Sequence, residues 1–81
     1  MARLPKSVDI QAEMVANVLQ VYVGPGDAVA AGDTVVLLES MKMEIPVLSE
    51  HAGTVASVNV ASGDVVQEGD PLVTLDRGRP A

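Results

Sequence analysis

Val23-Gly24-Pro25-Gly26-Asp27-Ala28-Val29-Ala30-Ala31-Gly32-Asp33 and Val60-Ala61-Ser62-Gly63-Asp64-Val65-Val66-Gln67-Glu68-Gly69-Asp70 are two versions of one stretch. A shift of 37 positions lays Gly26-Asp27 on Gly63-Asp64 and Gly32-Asp33 on Gly69-Asp70. Working outward, Val18, Val21 and Val23 fall on Val55, Val58 and Val60, and Val29 falls on Val66. Val36 and Leu38 fall on Val73 and Leu75, and Val8 and Ile10 on Ile45 and Val47. Valine-rich strands resemble one another, but two separate Gly-Asp pairs in one register mark an internal duplication.

Both halves read as strands. Leu19, Val21 and Val23 alternate with Gln20 and Tyr22, and Ala56, Val58 and Val60 alternate with Ser57 and Asn59, the period of a strand with one face inward. The Gly-Asp pairs punctuate them as turns: glycine supplies positive φ, and aspartate bonds nearby backbone amides. Strands are expected near 8–12, 15–23, 28–31 and 34–40, then near 43–48, 53–60, 65–68 and 71–76. No apolar period of 3.6 residues is sustained, so no helix is expected. Two four-stranded halves that cannot bury a face alone should pack on each other. The expected fold is all-β: a flattened eight-stranded barrel or sandwich of two four-stranded antiparallel sheets with quasi-two-fold symmetry. The domain should occupy residues 7–76, with 1–6 and 77–81 as flexible tails.

Composition narrows the functions. The chain has 81 residues, no Phe or Trp, and one aromatic, Tyr22. Val, Leu, Ile and Ala must therefore fill the core of a single small domain. There is no cysteine, which excludes disulfides and thiolate metal sites and fits a reducing, cytoplasmic setting. No apolar run is longer than Val35–Leu38, far short of a membrane-spanning helix. Met1-Ala2-Arg3-Leu4-Pro5-Lys6 has no apolar core of the kind a secretory signal needs. A net charge of −6 with almost no aromatics argues against nucleic acid as a partner. The acidic surface is expected to keep the free protein monomeric and to favour a basic partner.

One residue stands apart. Lys42 is the only Lys or Arg between Ser7 and Asp76; Arg3, Lys6, Arg77 and Arg79 lie in the tails. All eleven carboxylates lie in the stretch that holds it. The duplication puts residues 41–42 between a strand ending near Ser40 and one starting near Met43, at a hairpin tip. Two-residue hairpin turns favour Asn-Gly or Asp-Gly; Met-Lys is a poor choice, and such local inconsistency is a mark of functional sites. A unique lysine on a rigid tip, with a long flexible stem, suits attachment of a group to one amine and no other. The plain alternative is an ordinary solvated lysine. Met41 and Met43 can be core gap-fillers, but neighbouring positions face opposite sides, so at least one is expected outside, available to a partner's pocket. Asp27, Asp33, Asp64 and Asp70 recur in both halves and read as turn formers, not acid/base pairs. His51 reads as a solvated turn residue. No catalytic residue and no metal site is expected.

Glu39-Ser40-Met41-Lys42-Met43-Glu44 resembles the attachment motif of biotin carboxyl carrier domains, and the likeness runs over residues 8–76. Ser40 stands where alanine is commoner, and Val23 runs through Gly24-Pro25-Gly26-Asp27 to Val29 with no extra protruding loop. Size and motif look like the small free-standing bacterial biotin/lipoyl attachment proteins. The resemblance implies a biotinyl/lipoyl fold, with biotin joined by an amide to Lys42 by a biotin protein ligase. Met41 and Met43 then frame the lysine, and Glu39 and Glu44 are its acidic flanks in ligase and partner recognition. It further implies a non-catalytic carrier that takes carboxylate from a biotin carboxylase to a carboxyltransferase acting on an acyl-CoA or a 2-oxo acid. Two alternatives stay open. A lipoyl carrier shares fold and hairpin, but its lysine usually follows aspartate and precedes a small residue, where this chain has Met41 and Met43. The other is an unmodified small β binding module.

Overall fold

The computed structural model describes residues 7–77. Eight strands follow in order: β1 (Ser7–Gln11), β2 (Ala16–Val21), β3 (Ala28–Val29), β4 (Thr34–Ser40), β5 (Met43–Leu48), β6 (Gly53–Val58), β7 (Val65–Val66) and β8 (Pro71–Asp76). All eight expected strands form, and no helix occurs among the described residues. β1 ends one residue early, and β2, β3, β6 and β7 stop short of their expected ends because turns take over, although Val23 and Val60 still pack against the core. The expected tails 1–6 and 78–81 lie outside the described residues; Arg77, counted with the second tail, is half-buried.

The strands make two antiparallel four-stranded sheets, β1-β8-β6-β3 and β5-β4-β2-β7. The 37-residue shift turns the first order into the second (β1 onto β5, β4 onto β8), so the quasi-two-fold relation is that of the duplication. The halves are not separate layers, however. Each sheet takes two strands from each half. The expectation of one half packing on the other is replaced by two halves threaded through each other.

Backbone bonds show why. Asp27, Asp33, Asp64 and Asp70 each close a four-residue turn, and each carboxylate accepts the N–H of the turn's first residue, Gly24, Ala30, Ala61 or Gln67, at 2.8–2.9 Å. The glycine before each aspartate has φ between 92° and 97°, the left-handed region that a type II turn demands at its third position. Each turn then reaches into the other half. The Gly26 N–H donates to the Val55 carbonyl and Val55 N–H to the Asp27 carbonyl, both at 2.8 Å; Gly63 and Asp64 do the same with Val18 at 2.8 Å. Gly32 and Asp33 grip Ser49 in this way, and Gly69 and Asp70 grip Ala12. One half alone lacks the partners for these groups, and unpartnered backbone groups away from water are destabilising.

Inside lie Val18, Val29, Val35, Val36 and Leu38 with their counterparts Val55, Val66, Leu72, Val73 and Leu75, joined by Ala12 and Ala16. Ser49 is the one buried polar side chain among the described residues. Its hydroxyl donates to the His51 carbonyl and accepts the His51 N–H, so its burial leaves no polar atom unpaired.

Candidate functional site

β4 carries the candidate lysine to its place. Val35, Val36 and Leu38 anchor it in the core, and it is an interior strand flanked by β5 and β2. Paired strands hold a group more rigidly than a free loop does. Past Leu38 the pairing continues as Leu38 with Ile45, Glu39 with Glu44 and Ser40 with Met43. Met41 and Lys42 are left as the two central residues of the tip.

Both have positive φ, 54° for Met41 and 67° for Lys42. They are the only non-glycine residues with positive φ among those described. A two-residue loop with both central φ positive is the type I′ turn that Asn-Gly normally fills. Left-handed conformation costs an ordinary L residue about 1–2 kcal/mol. The poor turn chemistry legible in the sequence is thus a measurable strain in the backbone. Strain of this kind persists where the surroundings impose it and gathers at functional sites. Here the Ser40–Met43 closure imposes it, and the result is an outward lysine.

Lys42 is exposed. Met41 is 90% and Met43 64% exposed. The sequence required only one methionine outside; both are. Glu39 is half-buried and Glu44 exposed, and they are cross-strand partners. Like charges placed opposite each other weaken a sheet, so the acidic flank, like the turn, is not explained by folding. The structure brings together all five motif residues singled out in the sequence. Among the described residues, no hydrogen bond or ion pair engages the Lys42 amine, which therefore stands free for acylation.

Beside the amine is a recess of about 270 Å³, lined by Lys42, Met41 and Glu39 and by Val15, Asn17 and Val65. The last three lie far from the motif in sequence, and linear reading did not single them out. A larger recess of about 540 Å³ runs between the edge strands β1 and β5 and does not include Lys42. Pro46 sits on the β5 edge, where it has no donor to offer an incoming strand. No group of three or more His, Cys, Asp or Glu among the described residues is placed to hold a metal ion. No helix there is long and apolar enough to cross a membrane.

One family model matches residues 6–75, which take in nearly all of both sheets and the strained Met-Lys tip. The chain belongs to the biotin/lipoyl family. That family is described as biotin-requiring enzyme, so the cofactor this attachment domain serves is biotin. The biotinylated protein TB7.3 homolog of Mycolicibacterium smegmatis is 66% identical over 41 residues, which are 51% of this chain and 58% of that protein. The match thus spans little more than half of that relative. Among solved structures, a single-chain, multi-domain long-chain acyl-CoA carboxylase superposes with a TM-score of 0.84 at 31% identity, over 95% of this chain and 8% of that one. The lipoyl domain of the 2-oxoglutarate dehydrogenase complex from Azotobacter vinelandii gives a TM-score of 0.70 at 27% identity, over 86% of this chain and 99% of that one. The backbone is thus shared with a lipoyl domain as well as with a carboxylase domain.

Proposed function

We propose that Lys42 is the attachment point for biotin and that the domain is the carrier of a biotin-dependent carboxylase. The observation that carries this reading is the lysine itself: exposed, without an engaged amine, and held on a tip whose backbone is strained to present it. The site fits acylation, because nothing within the described residues has to move before the ε-amine meets an activated acyl group. In the ligase, the Lys42 nitrogen attacks the acyl carbon of the biotinyl adenylate. An amide forms, AMP leaves, and the amine gives up a proton. Biotin so joined supplies a ring nitrogen that takes up and releases carboxylate. The chain contributes tethering: it raises the effective concentration of the arm at a biotin carboxylase and then at a carboxyltransferase. Met41 and Met43 offer apolar contact at the tip, and Glu39 and Glu44 an acidic flank to a basic partner. On this reading the domain catalyses nothing alone, acts in the cytoplasm, and serves a carboxylase acting on an acyl-CoA or a 2-oxo acid. The likeness to the acyl-CoA carboxylase supports the first substrate class.

The test is the intact mass of the protein after incubation with biotin protein ligase, biotin and ATP, followed by peptide mapping. One biotinyl adduct on Lys42 is expected, and none on Lys42→Arg, which should keep its fold. An adduct on the arginine variant, or a lipoyl-sized adduct on the protein from its own cell, would overturn the reading.

A further inference from the structure

The duplication supplies an internal control. Each position near Lys42 but outside the motif has a counterpart at the same place of the same fold, beside Asp76. Val15 corresponds to Ala52 and Val65 to Ala28. The register agrees, since Asn17 pairs with Val65 as Thr54 pairs with Ala28. All four of these Val and Ala positions are exposed, Val15 at 64% and Val65 at 66%. The fold is therefore satisfied by alanine here, and larger apolar side chains left in water are not a folding requirement. Among these four positions the valines stand only at the end where Lys42 lies, and they line the same recess as Lys42 and Met41.

We infer that Val15 and Val65 form an apolar platform on which the enzyme that acylates Lys42 docks; the inference rests on the reading of Lys42 as the biotin site. Three arguments choose this occupant. An enzyme that reacts on the ε-amine itself must press against the surface around that amine. Enzymes that meet the far end of an arm on Lys42 work at the arm's length from it. A second copy of this chain is disfavoured by its net charge of −6 and by Glu39 on the rim of the recess. The complementary surface is an apolar patch with a cationic rim, which gives a ligase both contact area and orientation.

The experiment uses the full apo chain with biotin protein ligase, biotin and ATP, and reads initial rates against carrier concentration. Val15→Ala with Val65→Ala should lower kcat/KM by roughly tenfold or more, mostly through KM, as two apolar contacts leave the interface. The variant should stay folded, because it installs the residues that the counterpart positions already hold; a thermal melt checks this. Ala28→Val with Ala52→Val should leave kcat/KM unchanged, and an equal loss there would overturn the inference. Wild-type kcat/KM in the Val15/Val65 variant would also overturn it. If that variant keeps the wild-type rate while, in the wild-type chain, the Val15 and Val65 methyl resonances move on biotinylation, the arm itself is the occupant and the inference fails. Failure of the wild-type chain to take biotin at all is a separate result: it removes the functional reading and this inference with it.

Discussion

Replacing the tip by the residues its backbone prefers, Met41→Asn with Lys42→Gly, should make the protein more stable and unable to be modified. Met41 and Lys42 sit at φ 54° and 67°, and each ordinary side chain there costs about 1–2 kcal/mol. Asparagine tolerates this region well. Glycine removes the strain but loses about 0.5–1 kcal/mol to the greater freedom of its unfolded chain. The net gain is about 1–2 kcal/mol for the pair. In a domain of this size that raises Tm by roughly 5–15 °C. The assay is urea unfolding, with the midpoint rising and the slope unchanged. Gly63→Ala makes the matched control of opposite sign. Gly63 has φ 96°, and a Cβ there would meet nothing within 4 Å, so no packing contact changes; backbone strain outweighs the lower freedom of the unfolded chain, and about 1 kcal/mol should be lost. An unmoved or lowered midpoint for the tip variant, with Gly63→Ala behaving as stated, would show that the tip is not strained. Its sequence would then need no functional cause.

Two further outcomes follow from packing. Gly53→Ala should destabilise by about 1–3 kcal/mol, because a Cβ there would lie 2.8 Å from the Asp76 carbonyl oxygen, a backbone atom that cannot step aside; thermal unfolding reads it. Met43→Ala should shift stability by no more than about 0.5 kcal/mol, since the side chain is 64% exposed. The same variant should be biotinylated several-fold more slowly than wild type in the ligase assay, and a loss of several kcal/mol on denaturation would instead place Met43 in the core.

Much of the fold was legible because its signals are local. Alternating valines and Gly-Asp turns act within a few residues of themselves, so the strands of each half could be located from one and checked against the other. Lys42 was legible for a similar reason: its isolation and the unsuitable Met-Lys turn are both linear facts. The exposure of both methionines was not, because position parity says that neighbours differ in direction without saying where a turn tip projects.

The sequence by itself determined an all-β duplicated domain, its turn positions and the lysine at its centre. Only the tertiary structure decided which strands share a sheet. The same repeats satisfy their local preferences whether each half pairs with itself or threads through the other. The choice lies in bonds between residues distant in the chain, such as Gly63 to Val18 and Gly26 to Val55. The same threading brings Val65 beside Asn17 and sets Val15 and Val65 around the Lys42 recess. That neighbourhood comes from pairing between the halves, which no local pattern records.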